Sequence, residues 1–176
     1  MDTERYRKHM PPVASDETVY TRRSPLRLPL DLSKWIAPEK LVSWISEEID
    51  RLDPEKNEVH EYLRMLPEKR PKVMLSLLLY GYATQVFGSE EIVQACREHP
   101  TFIQLCEGKP VFPEELEQFR RKHRILLENL LAEILVRTVR EKYLQLGTLP
   151  PGLEYSLFTR AVDRLDTARH MDTPEE

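Results

Sequence analysis

The stretch that most constrains this chain is PKVMLSLLLYGYA, residues 71–83, where Lys72 and Ser76 are the only polar breaks before a Tyr-Gly-Tyr step. The run falls short of the roughly 20 apolar residues that a bilayer crossing requires. It must therefore be buried inside a folded domain, and a helix apolar nearly all round belongs at that domain's centre. Whatever surrounds it has to offer amphipathic faces.

Five glycines against fourteen prolines, with 40% hydrophobic and 32% charged residues in 176, suit helices better than a sandwich or barrel with many glycine turns. The expected fold class is all-α: a compact multi-helix, helix-turn-helix-like domain followed by one long helix. This length buries a real core. The opening MDTERYRKHM lacks the apolar heart of a secretory signal and no later run is long enough for a span, so a cytoplasmic protein with no membrane partner is expected. Cys96 and Cys106 sit in apolar helical contexts and read as reduced and structural.

Prolines punctuate the map. Residues 1–29 are polar, Pro-rich and aperiodic, which predicts an extended arm. Pro38 opens a helix with Leu41, Ile45, Ile49 and Leu52 on one face. Asp53-Pro54 opens a second through Val59, Tyr62, Leu63 and Leu66, ended by Pro67. Pro71 opens the apolar third. Gly88-Ser89 stops it and caps a fourth from Glu90 to about Glu98, and Pro100 starts a fifth, so that residues 30–112 make one helical domain. From Pro113 no breaker occurs before Gly147, which predicts a long basic, amphipathic helix over 113–147. Residues 148–176 read as a divergent acidic tail with one short helix near Tyr155 to Ala168.

The net charge of −4 argues against a uniformly basic nucleic-acid binder, yet it hides an asymmetry. Arg64, Lys69, Arg70 and Lys72 face only Glu68. Arg120, Arg121, Lys122, Arg124, Arg137, Arg140 and Lys142 outnumber Glu128, Glu133 and Glu141, whereas residues 163–176 are acidic. The basic middle and the acidic end are placed to compete for one partner. Nothing reads as a catalytic or metal centre: His9, His60, His99, His123 and His170 are scattered, and Gly-rich phosphate loops are missing. Asp163 and Asp166 read as a solvated helix face. No cofactor and no metal are expected.

In RILLENLLAEILVRTV, Leu126, Leu130 and Ile134 form one column and Leu127, Leu131 and Leu135 another. Two adjacent columns make a stripe wider than one small domain needs. Two solutions stay open. The stripe could pair with a second copy, making those six residues a homodimer interface, or the tail could fold back over it through Leu153, Leu157, Phe158 and Val162.

The segments LPLDLSKWIAPEKLVSWI, RPKVMLSLLLYGYATQVFGSEEIVQACREHPTFIQL and FRRKH stand in order over residues 28–124. In this they resemble the N-terminal domain of bacterial insertion-sequence transposases of the DDE type. The resemblance implies a helical domain that binds DNA at transposon ends. On that basis the candidate phosphate contacts are Arg120, Arg121, Lys122, His123 and Arg124, joined by Lys69, Arg70 and Lys72. The chain departs from the pattern at VFPEELEQFRR, where a Pro-Asp pair is lost and Glu115 replaces a threonine. After Leu146-Gly147 a strand carrying Asp-Gly-Thr should follow, and it does not. DDE chemistry needs two metal ions held by carboxylates that converge from separate strands. The expectation is therefore a non-enzymatic module, a truncated, split or domesticated transposase, working with a separately encoded catalytic domain. A protein-interaction or dimerisation module without DNA is the alternative.

Overall fold

The computed structural model describes residues 16–19, 26–52, 71–143 and 152–173. Among these lie seven α-helices and one two-stranded ribbon, so the chain is all-α in class. Strand β1 (Asp16–Val19) pairs antiparallel with β2 (Leu26–Pro29), Asp16 opposite Pro29 and Val19 opposite Leu26. Part of the arm expected over residues 1–29 is thus ordered, because Val19 and Leu28 find a place in the core. A 3-10 turn at Leu32–Lys34 follows, its Ser33 amide and hydroxyl donating to the Asp31 carboxylate at 2.9 and 2.6 Å.

Helices α1 (Pro38–Asp50), α2 (Pro71–Ala83), α4 (Pro100–Leu105) and α5 (Pro113–Lys122) each begin on a proline, whose fixed φ and missing N–H suit a first turn. Between and after them run α3 (Ser89–Glu98), α6 (Arg124–Lys142) and α7 (Leu153–Asp172). The amphipathic segment expected between Asp53 and Pro67 lies outside the described residues.

Helix α2 is the hub. Eleven of its thirteen residues are buried, and it touches each of the other six helices. The Tyr-Gly-Tyr step has a steric cause. A Cβ at Gly81 would sit 2.8 Å from the Val86 carbonyl oxygen and 3.1 Å from Ile92 Cδ1. The chain turns back over that glycine through Gln85, held at φ +68°, and the Val86 amide donates to the Gly81 carbonyl at 2.8 Å. On either side Tyr80 packs edge-on against Phe102 at 5.1 Å and Tyr82 stacks with Phe87 at 6.3 Å.

Two expectations need correction. The helix expected over 113–147 breaks at His123, whose φ of −115° and ψ of 29° leave the helical region. The 3.6-residue spacing of apolar positions runs through the break undisturbed, so the cause is tertiary. Helix α5 packs on α2 and α3 while α6 packs on α1, α2 and α7, and a straight rod would not serve both sets.

The acidic tail is the second correction. It contains a twenty-residue helix, α7, that buries Leu153, Leu157, Ala161, Leu165 and Ala168. This helix packs along α6. Leu127, Leu131, Ile134 and Leu135 are fully buried, Leu130 is 5% exposed and Leu126 half-buried. Much of the stripe offered as a homodimer interface is covered within one chain, since α7 packs along it, while Leu126 and Leu130 also line a surface groove. One core runs from β1 to α7, with no boundary at residue 112.

Candidate nucleic-acid interface

The Phe-Arg-Arg-x-His segment straddles the joint between α5 and α6. Side chains one helical turn apart share a face, so Phe119, Arg120 and His123 turn inward while Arg121 and Lys122 face solvent. The Phe119 and His123 rings lie 4.6 Å apart, both buried.

Arg120 is a buried cation, its side chain 4% exposed, and it is ion-paired to Asp172 at the end of α7, whose side chain is 3% exposed. The same carboxylate accepts the Ser89 amide and hydroxyl, each at 2.7 Å. Asp172 thereby caps α3, whose own N-cap, Gly88, has no side chain to offer. The Tyr82 hydroxyl lies beside this pair; burial drives its pKa far above the ordinary tyrosine value, against the pull of the Arg120 charge.

Arg124 is more open. Its Nε donates to Glu128 at 2.7 Å and its terminal nitrogen to Asp166 at 2.6 Å, with 27% of the side chain exposed. Burial opposes its charge, but the hydrogen bonds to Glu128 and Asp166 outweigh it and hold the pKa above the usual arginine value. Of the remaining candidates, Lys72 is exposed and 3.3 Å from Asp50, whereas Lys69 and Arg70 lie outside the described residues. The motif read as one cationic stretch is therefore split: Arg120 and His123 are inside, Arg124 is part-buried between two carboxylates, and Arg121 and Lys122 are exposed on the surface.

Other cations are committed to the fold. Arg137 reaches Glu47 at 2.5 Å and Glu48 at 3.2 Å while lying 5.1 Å from the Trp44 ring centre. Lys40 pairs with Glu141 and lies over Trp44, and Lys142 lies over Trp35. These contacts knit α6 to α1 and, through Trp35, to the end of the 3-10 turn. Helix α3 presents Glu90, Glu91 and Glu98 to solvent, a face that would repel phosphates.

Sequence reasoning missed Arg164, which is 1% exposed. Its guanidinium donates to the carbonyls of Tyr82 at 2.6 Å, Leu30 at 2.8 Å and Pro29 at 3.1 Å. Helix α7 so supplies a donor for a C-terminal carbonyl of α2 and a cap for the start of α3. Nothing in the local sequence marks either role, since Arg164 and Asp172 look like ordinary members of a charged helix.

The thiols of Cys96 and Cys106 are free neighbours, and burial together with Cys106 pushes the Cys96 pKa up to about 12. Two concavities lie among the described residues. An apolar groove of about 240 Å³ runs between Leu52, Leu126, Leu130, Val136 and Phe158, and a hollow of about 200 Å³ is walled by Glu90, Glu91, Glu117 and Asp172. Among the described residues, no group of three or more histidines, cysteines and carboxylates is arranged to hold a metal ion. No described helix is long and apolar enough to cross a membrane.

These features define a helical module built on one apolar central helix, with a partly open basic corner where α5 meets α6. The family model described as Transposase domain (DUF772) matches residues 30–122, just over half of the chain, and the chain belongs to that family. No curated protein and no solved structure matches the chain. The matched segment runs from the 3-10 turn through α5 and leaves out α6 and α7, which complete its core.

Proposed function

We propose that this chain is a DNA-binding module of the insertion-sequence DDE type, one that engages transposon ends through phosphate contacts. Cutting requires carboxylates converging from separate strands around two metal ions, and that step is assigned to a separately encoded or separately folded nuclease. The observation that carries the reading is the transposase-family match ending at Lys122, where Arg121 and Lys122 lie open to solvent. The test is fluorescence anisotropy with a labelled duplex across a salt series. Arg121→Ala with Lys122→Ala should weaken binding on every sequence alike and lower the log-log salt slope by roughly 1.8, about 0.9 per lost contact. No binding by the intact protein at low salt would overturn it.

The apolar groove between Leu52, Val136 and Phe158 favours a second reading, an assembly module that pairs with its own copy. A concentration-dependent dimer in light scattering, together with absent DNA binding, would select that reading.

A further inference from the structure

We infer that the outer face of the α6–α7 pair is a two-fold interface with a second copy of this chain, in which Glu154 of each copy meets Arg169 of the other. The inference deepens the assembly reading above and rests on it, but it uses a different face from the leucine stripe that α7 covers.

Helices α6 and α7 run antiparallel, since Arg124 pairs with Asp166 at one end and Arg140 with Glu154 at the other. Residues three or four apart share a helix face. Tyr155, Phe158, Val162, Asp166 and Arg169 therefore make one face of α7, and none of the five is buried. Ile125, Asn129 and Glu133 make the matching face of α6, and all three are exposed. The groove of about 240 Å³ joins the two faces, lined by Asn129 and Glu133 on one side and Phe158 on the other. Its neighbours include the two most exposed large apolar side chains among the described residues, Tyr155 at 77% and Ile125 at 75%. Each stands in the first turn of its helix, and antiparallel neighbours start at opposite ends. One exposed apolar side chain thus marks each end of the groove.

The charges divide in the same way. Helix α7 has Glu154 in its first turn and Arg169 in its last. Their side chains are 71% and 54% exposed, and their ion pairs within the chain are long, 3.7 Å to Arg140 and 3.8 Å to Asp166. Such exposed pairs contribute little to stability, so both charges can turn to a partner without harm to the fold. A two-fold axis lying in the interface across the helices runs each α7 antiparallel to its twin, with Val162 near the axis. The acidic end of one copy then meets the basic end of the other, twice, and Tyr155 arrives where its partner holds Ile125. Identical patches meet in such an isologous contact. A parallel arrangement would set Glu154 against Glu154 and Arg169 against Arg169.

The experiment is sedimentation velocity on the full chain over a concentration series, alone and as Glu154→Arg, Arg169→Glu and Tyr155→Ser. The unaltered chain should dimerise. Each charge reversal should weaken the dimer by about tenfold or more, because it creates two like-charge contacts. An equimolar mixture of the two reversals should restore dimers, since both contacts are then opposite in sign. Tyr155→Ser should also cost about tenfold, as the loss of an aromatic anchor does. A dimer indifferent to both reversals, or a mixture no tighter than either variant alone, would overturn the inference while leaving assembly standing. A monomer at every concentration of the unaltered chain would overturn both. Should a reversal lose helical signal, Glu154→Gln and Arg169→Gln replace the pair, and dimers as tight as the parent's would then overturn the inference.

Discussion

Asp172→Ala should be among the most damaging single changes in the molecule, although it lies at the last turn of the last helix. Two losses combine. Arg120 is left with its charge buried and its counter-ion gone, and removing one member of a buried pair costs about 3–5 kcal/mol. Helix α3 also loses the acceptor for the Ser89 amide and hydroxyl, and a lost N-cap costs about 1 kcal/mol. The sum is about 4–6 kcal/mol. For a chain of this size each kcal/mol moves the melting midpoint by about 2–4 °C, so a fall of roughly 10–20 °C is expected in thermal circular dichroism. A companion variant, Asp172→Ala with Arg120→Met, removes the stranded charge and should recover more than half of the loss, since apolar replacement of a buried pair is often neutral. A midpoint within about 3 °C of the parent for Asp172→Ala would refute the reasoning, as would a double variant no better than the single one.

Gly81→Ala should destabilise by about 1–3 kcal/mol in a urea titration, the reverse of the usual helix-interior gain, because its methyl group meets the Val86 carbonyl at 2.8 Å. Gln85→Gly should stabilise by about 0.5–1 kcal/mol, since φ +68° costs a side chain more than it costs glycine. Stability should also fall in alkali. The Cys96 pKa is raised in the folded state, so its contribution is complete below the unfolded value of 9.0 and is lost as pH climbs towards about 12. Denaturant midpoints measured between pH 8 and pH 11 check the sign, and a midpoint that rises over that range contradicts it. In the native protein at pH 8, Cys96 should resist alkylation until denaturant is added.

The central helix, its proline-led neighbours and the inward faces of α1 and α3 were legible because periodicity and caps are local. Burial of Ile92 beneath outward Glu90 and Glu91, for instance, follows from spacing alone. The break at His123 was not legible, since apolar register continues across it and only the divergent partners of α5 and α6 force the bend. The basic motif was misread for a related reason. Consecutive cations in FRRKHR look equivalent in a string, but a helix distributes them around its axis, and Asp172 lies 52 residues from Arg120. Such long-range pairing leaves no periodic trace. The tail's apolar positions Leu153, Leu157, Phe158 and Val162 allowed a covering helix as one of two solutions, and of these Leu153 and Leu157 are the ones buried, joined by Leu165, which the spacing had not singled out.

The bonds from Arg164 to Pro29 and Leu30 close a span of about 134 residues, and α7 also lies against β1. During synthesis the segment carrying the transposase match leaves the ribosome well before the helix that completes it. Its α2 carbonyls and the first turn of α3 then wait, half satisfied, for residues still being added. Contacts this distant along the chain are slow to form, so the nascent domain passes through an open stage in which the α6 leucines are bare. Addition of α7 is what covers those leucines, and a product cut short of it would leave them exposed.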